Sequence, residues 1–279
     1  MRVFYEVYGE GPDTICLLPP WAITHSRGWK AQIPYLARHF RVIAIDPRGN
    51  GRSDRPRHAA AYSRAAHVAD VLAVLDATGT ERGMLTSLSP RAALALALAV
   101  EHPERVLAVA FITPQLWAIE GFVRPFTAGR REAYDGYSRF NPHHWKRDYR
   151  GFLEWFAQTV FPHPHSTRQI EETIEFGLHT DPETLIPATI GFEMYERDEA
   201  LELAGRIRCP VLVTQNGGQA FWPKDTSGPL AEASGGRLHV FDGLGPAVAG
   251  RWPVAMNLVL REFFESVRAG DARTAEAVA

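Results

Sequence analysis

The feature that most constrains this chain is a rhythm of short unbroken apolar runs separated by longer helical patterns. "TICLL" (14–18), "RVIAID" (41–46), "GMLTS" (83–87), "RVLAVAFIT" (105–113), "CPVLVTQ" (209–215) and "LHVFDG" (238–243) are bounded by turn signals and suit strands buried on both faces. Residues 2–8 alternate like one further strand, joined to the next by "GEGPD". Between the runs lie helical patterns. "WKAQIPYLARHF" is one. Ser63 is placed to cap a second, in which Val68, Val71, Leu72 and Leu75 share a face and which Gly79 closes. "RAALALALAVEH" is apolar nearly all round and belongs between layers. Alternating strand and helix predicts an α/β fold with a doubly wound, mostly parallel sheet.

Residues 115–205 break the rhythm. They are aromatic and helical, with "RDYRGFLEWFAQTVF" read as one helix and Ser166 to Gln169 as the capping box of the next. The expected organisation is a core of residues 1–114 and 206–268, a helical lid of 115–205 and a frayed tail of 269–279. An insertion there would cover the carboxyl ends of the strands, where open α/β sheets bind ligands.

Charge narrows the partners. The formal net charge is -2 with Arg, Asp and Glu interspersed, which gives no basic field for nucleic acid or anionic lipid. The N-terminus lacks the apolar stretch of a signal peptide, and no run of about 18 apolar residues occurs; the expectation is a cytoplasmic protein with no membrane partner. Cys16 and Cys209 sit in or beside apolar strands and read as small buried hydrophobes. The lid pairs His143–His144 and His163–His165 lack an accompanying Cys or carboxylate pattern, so neither a metal nor a cofactor is expected. "DPRGNGRSD" does not match a phosphate loop and reads as structural. Spacing is silent on oligomeric state.

"LLPPWAITHSRGW", "VIAIDPRGNGRSDRP", "AALALALAVEHPERV", "IRCPVLV" and "NLVLREFFESV" follow the order and spacing of the α/β-hydrolase fold, which the chain resembles over nearly all of its length outside the lid. The lid segments "NPHHWKRDYRGFLEWF" and "PHSTRQIE" also look like a bacterial subgroup, some members of which are joined to nucleotide-cyclase domains. The resemblance implies a Ser-His-Asp triad with the serine on a strained G-x-S-x-G turn. It places Ser89 at the nucleophile, but the local sequence is Ser87-Leu88-Ser89-Pro90-Arg91, with both glycines replaced. Pro90 has no N–H for an oxyanion and disfavours a helical or left-handed conformation at Ser89. Ser89 as a helix N-cap with Pro90 at the first helical position explains the same residues. Pro246 stands where the resemblance puts the histidine, and Asn216-Gly217-Gly218-Gln219 where it puts the acid. The triad is therefore expected to be degenerate.

His25, in the loop that supplies the other oxyanion donor in this family, is the remaining candidate base; its alternative is a hydrogen-bonded histidine at a helix start. Trp21, Trp117, Trp145 and Trp222, with Thr24, Ser87, Pro90, Gln215, Asn216 and Pro246, are the candidate walls of an apolar small-molecule cavity. Three functions remain: a non-hydrolytic enzyme that cyclises, eliminates or isomerises an apolar metabolite; a catalytically dead binding protein; and a serine hydrolase using Ser89 with an unusual base.

Overall fold

A computed structural model of the chain describes residues 1–18, 21–118, 120–216, 226–242, 244 and 247–270. Its strands are β1 (Tyr5–Tyr8), β2 (Thr14–Leu17), β3 (Arg41–Ile45), β4 (Gly83–Leu88), β5 (Val106–Ile112), β6 (Val211–Asn216) and β7 (Arg237–Phe241). They form one sheet in the order β1-β3-β2-β4-β5-β6-β7, antiparallel only between β1 and β3. The expected mostly parallel, doubly wound sheet is what the chain forms.

The helices are α1 (Ile33–Leu36), α2 (Arg64–Ala77), α3 (Ala92–Glu101), α4 (Glu120–Thr127), α5 (Pro142–Arg147), α6 (Tyr149–Val160), α7 (Thr167–Gly177), α8 (Pro182–Gly191), α9 (Arg197–Ala204), α10 (Ser227–Ser234), α11 (Val248–Arg251) and α12 (Pro253–Arg268). The sheet's two faces build separate cores. Cys16 and Leu18 join a cluster with α2, α3, α9 and α10, whereas Ile15 and Leu17 join one with α1 and α12. This is the period-two alternation of a strand that is covered on both sides. Every residue of α3 from Ala92 to Ala99 is buried, as an all-round apolar helix between layers must be. Ser63 Oγ accepts from Ala66 N at 3.2 Å and Gly79 adopts φ +63°, so α2 begins and ends where its sequence signals stand.

Three local expectations are corrected. The "WKAQIPYLARHF" pattern yields only the single turn α1, with Pro34 in its first turn and a separate 3₁₀ turn, Ser26–Trp29, before it. "RDYRGFLEWFAQTVF" is interrupted at Asp148, which leaves helical geometry at φ -149° and caps α6 by accepting from Gly151 N. Ser166 precedes α7, but its hydroxyl makes no capping bond and lies buried without a partner. The expected frayed tail falls almost wholly on residues 271–279, outside the described residues.

Between β5 and β6 the described chain adds no strand to the sheet. Helices α4 to α9 carry an aromatic cluster in which Trp145 and Phe152 pack at 4.6 Å between ring centroids. Trp21, from the loop after β2, reaches into it and lies 5.5 Å from Phe140. Cys16 and Cys209 are free thiols, and burial pushes the Cys16 thiol up to about 12, so it stays protonated. Among the described residues no helix is long and apolar enough to cross a membrane.

Candidate functional site

The chain leaves β4 at Leu88, makes one tight turn through Ser89, Pro90 and Arg91, and enters α3. Ser89 holds φ +54°, the left-handed conformation that favours glycine and costs other residues about 1–2 kcal/mol. The expectation that Pro90 would keep Ser89 extended, as an ordinary N-cap, is thus overturned. The cap of the turn is Leu88, and no serine side chain caps α3. Tertiary contacts outweigh the local preference: β4 and α3 are locked in the core on either side, and the Ser89 carbonyl accepts from Gln115 N at 3.1 Å. Thr113, at the end of the neighbouring strand β5, is similarly held at φ +44°.

Above this turn lies a cavity of about 450 Å³. Its floor is Leu88, Ser89, Pro90 and Arg91; Ile23 and Trp21 come from the loop after β2, and Phe126, Phe156 and Phe192 from the helical insert. Thr24, Asn216 and the segment from Ala247 to Gly250 also line it, and Arg27, Lys30, Arg168 and Glu172 bring charge to one part of the wall. The walls are therefore mostly apolar, with hydroxyl and amide groups at intervals. Thr24 Oγ1 and Asn216 Oδ1 are buried and have no protein partner.

Ser89, Trp21, Thr24, Pro90 and Asn216 are thus brought together as the sequence predicts. Others are not. Trp145 is fully buried inside the insert and donates its Nε1–H to the Arg139 carbonyl at 3.0 Å. Trp117 makes a strand-like bridge to Tyr195, and Arg197 lies over its ring. Ser87 is fully buried within β4, and Gln215 lies in β6, half-buried. None of these four is among the described residues lining the cavity. Trp222 and Pro246 lie outside the described residues, as do Gly217 to Gln219.

His25 occupies a different place. Its Nδ1 accepts from Arg27 N at 3.4 Å and lies 3.8 Å from Asp46 Oδ1, while its Nε2 is 3.0 Å from His179 Nδ1. It lines a second cavity of about 610 Å³, with Asp46, His179 and Arg52, and not the one above Ser89. Burial holds its imidazole below the ordinary value of 6.5; Asp46 opposes the shift, while His179 and Arg27 add to it. With both ring nitrogens engaged there, it caps the turn Ser26–Trp29. The neighbouring "DPRGNGRSD" loop is structural: Asp46 accepts from Ser26 N and Arg52 N at 2.9 Å each, and Ser53 donates to the Asp46 carbonyl at 2.7 Å. Gly51, at φ +60°, permits this grip, because a Cβ there would stand 2.2 Å from Asp46 Oδ2.

Two features escaped the sequence reading. The insert supplies Phe156 and Phe192 to the cavity, a contact that spacing does not reveal. Arg91, one of the residues that replace the motif's glycines, is itself buried in the cavity wall with its guanidinium 4.5 Å from the Phe192 ring centroid. Among the described residues no group of three or more His, Cys, Asp or Glu side chains could hold a metal ion.

A serine on a left-handed strand-to-helix turn, at the carboxyl edge of this sheet and beneath a helical insert, defines the class: the chain belongs to the α/β-hydrolase-fold family, whose model matches residues 14–161. Among particular relatives it is similar to the 2-hydroxymuconate semialdehyde hydrolase of Pseudomonas sp. (strain CF600), 37% identical over 134 residues that cover 45% of this chain and 44% of that one. The fold is shared with the enol-lactonase of Burkholderia xenovorans LB400, at a TM-score of 0.73 and 20% identity, covering 94% of this chain and 96% of that one. An esterase of Exiguobacterium antarcticum superposes at a TM-score of 0.76 with 17% identity, covering 95% and 96% respectively.

Proposed function

We propose that this protein binds an apolar small molecule in the cavity above Ser89 and transforms it without a serine acyl-enzyme, by cyclisation, elimination or isomerisation. One observation carries the reading. The residue after the strained serine is Pro90, which has no N–H, and no imidazole is among the described residues lining the cavity. An acyl transfer needs a base to take the hydroxyl proton and donors to hold the tetrahedral oxyanion. Removing one such donor costs about 2.7–4 kcal/mol of transition-state stabilisation. The sequence adds proline at 246, in the place of the family's histidine, and no carboxylate between 216 and 219, in the place of its acid.

What is left is suited to other chemistry. The Ser89 hydroxyl, kept at its usual position but not deprotonated, is a hydrogen-bond donor to a carbonyl. Apolar walls fix a folded conformer of the ligand and exclude water, which is how an intramolecular step is favoured over hydrolysis.

A second reading, a serine hydrolase with Ser89 as nucleophile, is favoured by the left-handed geometry at Ser89 and by the hydrolase activity in the name of its relative. Hydrolysis of 4-nitrophenyl butanoate separates the two. The proposed function predicts the same near-background rate for the wild type and Ser89→Ala, whereas Ser89-dependent turnover supports the hydrolase and removes the proposal. Incubation with a bacterial metabolite extract in water labelled in its oxygen supplies the positive test: a product isomeric with its precursor, or lighter by one water, carries no labelled oxygen. Binding of an extract component without conversion identifies a binding protein instead.

A further inference from the structure

We propose that Arg91 anchors a carboxylate, so that the cavity selects apolar monocarboxylic acids; this rests on the reading of the cavity as a ligand site. Arg91 is 4% exposed and follows Ser89 by two residues. Among the described residues its guanidinium has no ion pair, and Nη1 lies buried without a hydrogen-bond partner. One face of it is covered by the Phe192 ring, 4.5 Å from the centroid, a cation–π contact that compensates only part of the lost hydration. Both side chains line the cavity.

The charges around Arg91 do not neutralise it. The carboxylate whose field reaches it is Asp70, but Arg48 already holds both Asp70 oxygens, Nε and Nη2 donating at 2.7 Å each. Arg48 itself repels Arg91. His67 also feels Arg91, and burial keeps that imidazole uncharged. Elsewhere on the cavity wall, Lys30 and Arg168 are paired with Glu172, and Arg27 is exposed to solvent. Burial pushes the Arg91 guanidinium down to about 9, which leaves it charged at neutral pH.

A buried cation without an anion calls for one from outside. A guanidinium presents two parallel N–H donors that match a planar carboxylate, and a single positive charge matches a monoanion better than a phosphate dianion. The apolar walls accept the rest of the ligand, with the Ser89 hydroxyl beside it. Among the described cavity residues only Arg91 is buried and charged without an ion pair, and its Nη1 has no hydrogen-bond partner.

Calorimetric titration of the whole protein at neutral pH with octanoate and with 1-octanol tests this. The wild type is expected to bind octanoate at least about tenfold more tightly than the alcohol, the selectivity of a charge-assisted pair. In Arg91→Met the ratio falls to one or below, and Arg91→Lys recovers part of it. Equal binding of acid and alcohol by the wild type overturns the carboxylate assignment while leaving the cavity as a ligand site, and this comparison needs no variant to fold. Binding of neither overturns the cavity reading and the assignment with it. Retained acid preference in Arg91→Met overturns the role of Arg91.

Discussion

The Gln115 N–H donates to the carbonyl of Ser89 at 3.1 Å, so that the loop after β5 pins the residue that carries φ +54°. The left-handed turn is therefore imposed from outside its own sequence. Replacing Ser89 by glycine removes the Cβ conflict while keeping that bond, and is expected to stabilise the fold by about 1 kcal/mol. The midpoint of urea unfolding for Ser89→Gly measures this, and a lower midpoint than the wild type contradicts the strain.

Arg48 and Asp70 form a two-bond pair with little solvent access, at side-chain exposures of 9% and 15%. Arg48 also donates Nη2–H to the Ala66 carbonyl at 2.8 Å, so it cannot follow a lost partner into water without giving up that bond as well. Asp70→Asn leaves that buried guanidinium short of its counter-charge and removes the carboxylate that offsets the repulsion between Arg48 and Arg91. A loss of about 3 kcal/mol is expected. Unfolding free energy of Asp70→Asn that stays within experimental error of the wild type would show that the pair is solvated.

Acid is expected to weaken the fold from about pH 6.5 downward. Burial lowers His67 well below its ordinary 6.5, with Arg91 adding to the shift, and burial lowers His25 too. The unfolded chain binds these protons first, so stability is intact above 6.5 and falls as pH drops toward the folded-state values. His67→Gln, which cannot charge, is expected to flatten the fall in urea midpoint between pH 7.5 and 5. An unchanged pH profile would assign the acid sensitivity to other groups.

The contact between His25 Nε2 and His179 Nδ1, at 3.0 Å, ties the loop after β2 to the chain just past α7. One ring nitrogen donates and the other accepts. His179→Ala is expected to speed hydrogen exchange in the last turn of α7 while β4 stays protected. Equal exchange in both proteins would make the contact incidental.

The layers were legible because strand and helix periods differ so sharply: "VLAVAFI" fixes β5, and the all-round apolar stretch of α3 fixes its place between sheet and surface. The cap at Ser63 was legible for a similar reason, since its partner Ala66 is three residues away. The site was harder. Pro90 argues locally for an extended Ser89, and only the distant Gln115 together with the packed core reverses it. His25 looked free to approach Ser89, but its ring turns to Asp46 and His179, 21 and 154 residues away in the chain. Trp145 and Trp21 carry the same side chain; the first fills the centre of the insert while the second faces the cavity, a distinction set by tertiary packing alone.

The central claim, that the Ser89 hydroxyl is held in place but not activated, is tested most directly by treating the purified protein with a fluorophosphonate and recording its intact mass. The expected result is an unchanged mass after prolonged exposure. Stoichiometric addition that maps to Ser89, and that vanishes in Ser89→Ala, would contradict it.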